Sequence, residues 1–216
     1  AIGGAIINGG NFDWGNKEKF PTISGSHFAL NGISFWEEFG PSALTAKMRA
    51  EGMYNFGPSL SPNNAFYILQ GIETLSLRMK KHIENTKMML EFLKDNEAVS
   101  WLRHPDLEDH PDHKIAKKIL PLGSGSIIVF GIKGGRDAGK AFIENVKLSS
   151  HLANVGDAKT LLIHPGSTTH SHLSSEAMKM SGLTDDMIRL SVGLEDIEDI
   201  KIDFEKGFKA AAKISS

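Results

Sequence analysis

The chain has 216 residues, and its 24 basic and 26 acidic side chains leave a formal net charge of −2. That near-neutral balance argues against nucleic-acid binding driven by phosphate neutralisation. The absence of cysteine excludes disulfides, cysteine-ligated zinc and a cysteine nucleophile, and it suits a reducing cytoplasm. The longest apolar runs are far shorter than the roughly 20 residues that span a bilayer, so we expect no membrane partner.

The N-terminal segment Ala1–Gly10 has the pattern of a strand already under way, ending in an Asn-Gly turn. Because proteins rarely begin inside a core strand, we expect the chain to be the C-terminal piece of something longer. The aromatic-rich segment Phe35–Phe56 follows, and its apolar surface must pack on its own core or on a partner chain. A short helix is predicted over Ser42–Gly52, with Ser42 as its N-cap.

Ser61-Pro62 is a typical helix start, with serine at the N-cap and proline at the first helical position. The apolar residues that follow predict a well-buried helix that continues to Leu93. A helix of more than thirty residues is long for a globular protein. We therefore interpret it as a link between two lobes, bent near Arg78–His82.

After this helix, short strand patterns alternate with helical ones. Strands are predicted at Val99–Leu102, Ser126–Ile132, Leu148–Leu152, Leu161–Ile163 and Met187–Val192, and helices at Lys114–Leu120, Arg136–Val146, Ser174–Ser181 and Glu195–Ala212. This alternation indicates an α/β or α+β sandwich in which helices cover one face of a sheet.

Two groups of residues resemble ligand sites but are better explained as loops. The segment His104–His113 contains three histidines and three aspartates, a mixture that suits zinc or manganese. Its two prolines and the lack of helical spacing favour a solvated loop. The glycine clusters Gly123–Ser126 and Gly131–Gly135 flank a strong strand and do not match a phosphate-binding motif, which favours turns.

Arg189 is the most unusual residue, because it lies inside the otherwise apolar strand Met187–Val192. Strand alternation places it on the face opposite Ile188 and Leu190. A guanidinium in such a place is costly unless it meets an anion, and its planar fork suits a carboxylate or phosphate. Ligand binding and an internal ion pair, for example with Glu195 or Asp157, both remain open at this point.

Several segments together resemble the Cys/Met-metabolism pyridoxal-phosphate (PLP) enzymes over essentially the whole chain. They are Gly57-Pro-Ser-Leu-Ser-Pro-Asn-Asn-Ala-Phe66, Gln70-Gly-Ile-Glu-Thr-Leu-Ser-Leu-Arg-Met79, Ser150–Thr160, His164-Pro-Gly-Ser-Thr-Thr-His-Ser171 and Ile188-Arg-Leu-Ser-Val-Gly-Leu-Glu195. Within the family, Asn154–Lys159, Phe35–Phe56 and Gly131–Gly135 look like O-acetylhomoserine sulfhydrylases.

The resemblance implies an α/β fold, namely the C-terminal part of a fold-type I PLP enzyme of the aspartate-aminotransferase kind. Residues 1–80 correspond to the end of the large cofactor domain with a linking helix, and residues 81–216 to the small C-terminal domain. The family's cofactor lysine, its ring-stacking tyrosine and its phosphate loop all lie upstream of Ala1. The resemblance therefore implies no catalytic, cofactor-binding or metal-binding residue in this chain.

What the resemblance leaves in the chain is the carboxylate end of the substrate site. It implies that Arg189 holds the α-carboxylate of an amino-acid substrate, with Asn154 and Thr169 as further substrate-binding residues. Asn154 stands where the family usually has serine, and its amide can donate instead. Gly166 replaces an expected alanine in the His164–Ser171 loop.

The implied activity of the longer protein is replacement of acetate on O-acetylhomoserine by sulfide or a thiol, giving homocysteine for methionine biosynthesis. Its implied partners are the missing N-terminal portion and further copies in a homotetramer, a dimer of dimers. Three alternatives stay open: a cystathionine γ-synthase or methionine γ-lyase type of enzyme, a non-catalytic domain with a structural role, and a metal-dependent hydrolase using the His104–His113 loop.

Overall fold

A computed structural model describes residues 1–171 and 173–215. The chain divides into two compact units, Ala1–Glu73 and Thr74–Ser216. The roles that the sequence assigns to residues 1–80 and 81–216 within a longer fold remain predictions.

The first unit consists of short helices. They are α1 (Pro21–Ser24), α2 (Phe35–Phe39), α3 (Ala43–Lys47), α4 (Tyr54–Phe56) and α5 (Pro62–Glu73), with 3-10 turns at Phe28–Leu30 and Gly40–Ser42 and a π-helical stretch at Met48–Met53. The Ser61 hydroxyl accepts the Asn64 amide at 3.2 Å, so the predicted cap of α5 is confirmed. Ser34, rather than Ser42, caps a helix in the aromatic segment, because its hydroxyl accepts the Glu37 amide at 3.3 Å.

The predicted strand over Ala1–Gly10 is wrong for the structure described here. A strand needs a ladder partner for its backbone groups, and side-chain amides make the contacts of this segment instead. Asn64 Nδ2 donates to the Ile2 carbonyl at 3.0 Å, and Asn8 Nδ2 donates to the Pro41 carbonyl at 3.2 Å.

The first unit has a small core in which Ile23, Phe35 and Ala43 are buried against the partly buried rings of Trp14 and Phe20, among others. The prediction that α5 is well buried is wrong, because none of its residues is buried. Four of its large apolar residues, Phe66, Tyr67, Leu69 and Ile72, are more than half exposed. Apolar residues in a helix do not bury it unless another element covers them.

The second unit contains the predicted alternation of strands and helices. The strands are β1 (Val99–Arg103), β2 (Ile127–Ile132), β3 (Ser150–His151), β4 (Leu161–Ile163) and β5 (Met187–Ser191), and the helices are α6 (Leu75–Lys94), α7 (His113–Ile119), α8 (Gly135–Asn145), α9 (Ser175–Met180) and α10 (Ile197–Ser215). The long predicted helix is interrupted at Thr74, not near Arg78–His82.

The strands form one sheet in the order β1-β2-β5-β4-β3 in the part of the chain described. The β1/β2, β2/β5 and β4/β5 pairs are antiparallel, and β3/β4 is parallel. Arg189 lies on the central strand β5, opposite Val129 of β2 and Ile163 of β4. The sequence-based placement of this arginine on a central strand is therefore confirmed.

One face of the sheet packs with α6, α8 and α10 around a single core. Phe130, Phe142, Phe204 and Phe208 form its aromatic centre, with ring centroids 4.8–6.4 Å apart. Ile188, Leu190 and Val192 point into this core, so Arg189 lies on the opposite face, as alternation predicts. None of the described helices is both long and apolar enough to cross a membrane.

Candidate substrate-carboxylate site

Arg189 reaches from the face of β5 that is turned away from the core, and it is half-buried. Its neighbours across the sheet, Val129 and Ile163, are apolar. Directly paired residues lie on the same face of a sheet, so Arg189 has apolar rather than acidic cross-strand neighbours.

The guanidinium is held at a backbone carbonyl. Nη1 and Nη2 of Arg189 donate to the Asn154 carbonyl oxygen at 3.4 and 3.3 Å. Within the described residues, no carboxylate forms an ion pair with Arg189. An arginine has five N–H donors. The Arg189 guanidinium uses two of them on one carbonyl oxygen, so it retains donors that could bind an anion through two hydrogen bonds.

The two carboxylates considered as internal partners of Arg189 bind elsewhere. Asp157 Oδ1 accepts the Lys159 amide at 3.0 Å, and its Oδ2 accepts Asn154 Nδ2 at 3.3 Å. Glu195 accepts two hydrogen bonds from Thr160. The ion-pair interpretation is therefore wrong for both residues in the structure described.

The loop that carries Asn154 runs from Leu152 to Lys159, between β3 and β4. Gly156 has a φ of +71°, a left-handed conformation that favours glycine. Asp157 organises the turn through the Lys159 amide, and the Ala158 carbonyl accepts the Leu194 amide at 2.8 Å. These contacts join the loop to the residues that follow β5, which brings Asn154 to Arg189.

A small hydrogen-bond network around Thr160 lies at the C-terminal end of this loop. Thr160 is fully buried, and its amide and hydroxyl donate to Oε1 and Oε2 of Glu195 at 2.7 and 2.8 Å. The Thr160 hydroxyl in turn accepts the Gly193 amide at 2.9 Å. Sequence reasoning missed Thr160 altogether, because a lone threonine before a strand has no distinctive pattern.

Helix α6 supports the same segment from a second side. His82 Nδ1 donates to the Val192 carbonyl at 2.7 Å, and Asn85 Nδ2 donates to the carbonyls of Gly193 and Glu195 at 3.0 and 2.9 Å. Both side chains are fully buried. Their i, i+3 spacing places them on one face of α6, but more than a hundred residues separate them from their acceptors, so the sequence alone could not reveal the pairing.

Thr169 is exposed, and its hydroxyl pairs with Nδ1 of His170 at 2.8 Å. Its loop begins directly after Ile163, the cross-strand neighbour of Arg189. Arg136 Nη2 fixes the loop by donating to the Gly166 carbonyl at 2.9 Å, and His164 is held by Ser167 and by the Asp185 carbonyl. Among the described contacts, Arg189 and Asn154 are joined to each other, and Thr169 is joined to neither.

The His104–His113 segment forms local contacts. The Asp106 amide donates to Nδ1 of His104 at 3.1 Å, and Nδ1 of His113 pairs with the Pro105 carbonyl at 2.9 Å. Burial lowers the pKa of His104, outweighing the opposing effects of Asp106 and the Gly125 backbone. No group of three or more potential metal ligands is found among the described residues. A cavity of about 750 Å³ beside β1 has His104 and Trp101, but not Arg189, in its lining.

The sequence pattern of the Cys/Met metabolism PLP-dependent enzymes matches residues 1–209. The chain belongs to this family. It is 43% identical over 211 residues to a protein named Sulfhydrylase FUB7 from Fusarium oxysporum, covering 97% of this chain and 49% of that protein. It is also 43% identical over 205 residues to O-acetyl-L-homoserine sulfhydrylase 1 of Thermus thermophilus, covering 95% of this chain and 48% of the relative.

A comparison with solved structures supports the fold that is expected for this family. The structure of a Campylobacter jejuni protein described as an O-acetylhomoserine (thiol)-lyase matches with a TM-score of 0.77 and 28% identity, covering 90% of this chain and 46% of that one. The expected fold, part of a fold-type I PLP enzyme, is therefore confirmed. The chain spans about half the length of the relatives it matches.

The cofactor of the family is PLP, and the Campylobacter jejuni structure carries it as N'-pyridoxyl-lysine-5'-monophosphate. The residues around Arg189 do not by themselves fit this group. In the part of the chain described, Arg189 and Asn154 form no hydrogen bond with a lysine side chain, and Arg189 lies over no aromatic ring. A guanidinium beside a carbonyl and an amide suits a carboxylate ligand instead.

Proposed function

We propose that this chain is the C-terminal part of a PLP-dependent O-acetylhomoserine sulfhydrylase and carries its site for the substrate α-carboxylate. The longer enzyme replaces the acetate of O-acetylhomoserine with sulfide or a thiol and forms homocysteine. The single observation that supports this role best is the half-buried Arg189, whose fork meets only the Asn154 carbonyl and no carboxylate of the described chain.

Arg189 binds the α-carboxylate through two parallel hydrogen bonds in this proposal. The Asn154 carbonyl orients the guanidinium, and the Asn154 amide group is a further donor at the same loop. The Thr169 hydroxyl lies on the loop that leaves β4 and contributes a third polar contact. Fixing the carboxylate orients the bond that reacts at the α-carbon, an effect of positioning rather than of acid–base chemistry.

PLP supplies the electron withdrawal for this chemistry when it is bound in the longer enzyme. Its lysine and its ring-binding residues belong to the part of the family fold that this chain does not span. We therefore propose that the 216-residue chain is inactive alone and acts with the N-terminal portion, in a cytoplasmic homotetramer.

The test is a substitution series at Arg189 in the longer, PLP-loaded enzyme. Arg189→Ala removes both the charge and the fork, whereas Arg189→Lys keeps the charge and loses the two-pronged geometry. Loss of a charge-assisted pair costs roughly 2–4 kcal/mol, so kcat/KM for O-acetylhomoserine should fall on the order of 30- to 1000-fold in the alanine variant. The lysine variant should lie between this value and the wild type.

PLP content and melting temperature are measured on the same samples. We expect the cofactor content to be unchanged, because residues outside this site hold PLP. Normal O-acetylhomoserine turnover in a folded Arg189→Ala enzyme would remove Arg189 from the substrate site and, with it, the role proposed for Asn154.

A further inference from the structure

We infer that Thr160 and Glu195 are positioning residues for the carboxylate site, because together they clamp the Leu152–Lys159 loop to the end of β5. This inference rests on the proposed function. Neither residue contacts Arg189; both set where Asn154 lies relative to it. If the clamp opens, the carboxylate loses its second anchoring segment while the guanidinium stays in place.

The clamp is built from three short hydrogen bonds inside the protein. The amide and the hydroxyl of Thr160 both donate to Glu195, at 2.7 and 2.8 Å. The same hydroxyl accepts the Gly193 amide at 2.9 Å, so one side chain uses both its donor and an acceptor position. Thr160 is fully buried and Glu195 is partly buried, so leaving the Thr160 donors without their charged acceptor is costly.

The clamp joins two segments that meet at the site. Thr160 is the residue between the loop and β4, and Gly193 and Glu195 follow β5, the strand that carries Arg189. The Leu194 amide adds a backbone link to the Ala158 carbonyl at 2.8 Å. The position of Asn154 relative to Arg189 is therefore set by how closely these two segments are held together.

Gly193 shows how close that approach is. A Cβ at this position would lie 2.2 Å from Oε2 of Glu195 and 2.4 Å from the Thr160 amide nitrogen. No larger residue fits there without moving one of the two segments. The glycine is required by the clamp itself, since its backbone φ is not in the left-handed region.

Helix α6 makes the two sides of the clamp unequal. His82 and Asn85 bind the carbonyls of Val192, Gly193 and Glu195, so the end of β5 stays fixed even without Thr160. Within the described part of the chain, no buried side chain forms a hydrogen bond to residues 152–159. Opening the clamp should therefore move Asn154 and leave Arg189 where it is.

The experiment compares Thr160→Val, which keeps the shape and loses the hydroxyl, with Thr160→Ser, which keeps the hydroxyl, in the longer PLP-loaded enzyme. We expect Thr160→Val to raise KM for O-acetylhomoserine about tenfold with kcat within about twofold, as expected for lost ground-state binding. Thr160→Ser should restore KM to near the wild-type value.

Asp203→Asn provides the control for simple destabilisation, because Asp203 holds a different loop, at Lys147 and Ser149. It should lower the melting temperature and leave KM unchanged.

Hydrogen–deuterium exchange supplies a readout that does not depend on activity. The amides of residues 154–159 should exchange faster in Thr160→Val, while those of β5 should not. If Thr160→Val does not fold, Glu195→Gln replaces it in both measurements.

An unchanged KM in Thr160→Val, or unchanged exchange over residues 154–159, would overturn the inference. So would a KM increase that Asp203→Asn reproduces. If the wild-type enzyme does not use O-acetylhomoserine, the proposed function fails separately, and the exchange data still decide whether Thr160 and Glu195 hold the loop.

Discussion

Asp203 offers a direct test of how α10 holds the edge of the sheet. This carboxylate is 2% exposed, and its Oδ1 and Oδ2 accept the amides of Lys147 and Ser149 at 2.6 and 2.9 Å. It fixes the segment that leads into β3. Asp203→Asn retains one acceptor oxygen and places an NH₂ group against a backbone N–H.

The magnitude follows from these two contacts. A hydrogen bond to a charged group contributes about 1.5–3 kcal/mol, and one of the two is lost in the asparagine variant. We therefore expect Asp203→Asn to lower the free energy of unfolding by about 2 kcal/mol. For a chain of this size that corresponds to roughly 4–8 °C in melting temperature, measured by circular dichroism at pH 7.

The pH dependence of this loss has a defined sign. Burial alone would raise the pKa of Asp203, but hydrogen bonds from the backbone of Ser149, Lys147 and Leu148 outweigh it, and the pKa lies below its usual value. A carboxylate with a lowered folded pKa stabilises the protein above its unfolded pKa of about 3.9. That stabilisation disappears as the pH falls through the folded pKa.

The difference in melting temperature between wild type and Asp203→Asn should therefore be constant from pH 7 to about pH 5 and shrink at lower pH. Glu205→Gln is the matched control, because Glu205 is an exposed carboxylate on the same helix. It should change stability by less than about 0.5 kcal/mol. A difference for Asp203→Asn that grows as the pH falls would refute this account of the carboxylate.

Three further outcomes are expected. Gly207→Ala in α10 should destabilise the chain by about 1–2 kcal/mol in thermal melts, because the new Cβ would lie 2.7 Å from Cδ2 of Phe142. Gly71→Ala in α5 is the control: its Cβ would meet no described atom within 4 Å, so this variant should be neutral or stabilising. The 216-residue chain should not bind PLP covalently, so borohydride reduction that trapped the cofactor on one of its lysines would contradict the proposal. The chain should also bind a hydrophobic dye and self-associate on gel filtration, because Phe66 and its α5 neighbours are exposed; a clean monomer that binds no dye at high concentration would speak against this.

The fold of the second unit could be predicted well because its strands carry their own signals. The alternation through Met187–Ser191 correctly separated Ile188 and Leu190, which are fully buried, from Arg189 on the other face. In the first unit, the helix cap at Ser61 was also correct, since a hydroxyl three residues before an amide is a local arrangement. Local patterns determine these features.

The first unit was harder to predict because its apolar residues do not reveal their partners. Ala1–Gly10 has strand-like composition, yet Asn8 and Asn64 hold it by side-chain contacts. Helix α5 is as apolar as a core helix and is exposed in the described structure. A sequence shows which surface is apolar, but what covers that surface depends on residues elsewhere.

The candidate site shows the same limit at the level of single residues. Arg189 could be found because a cation in an apolar strand breaks the local pattern. Thr160, His82 and Asn85 could not, since each is an ordinary polar residue until the fold brings it to the end of β5. Glu195 was considered only as one possible ion-pair partner of Arg189, and in the structure it accepts hydrogen bonds from Thr160 instead.

That correction has a chemical consequence for the site. If Glu195 neutralised Arg189, a substrate carboxylate would first have to displace it and break that ion pair. Because the Glu195 carboxylate is directed to Thr160 and forms no ion pair with Arg189, the positive charge of the guanidinium lies beside a neutral carbonyl. In the roles proposed above, the carboxylate that positions the loop is kept away from the arginine that binds the anion, so the two proposed roles do not compete.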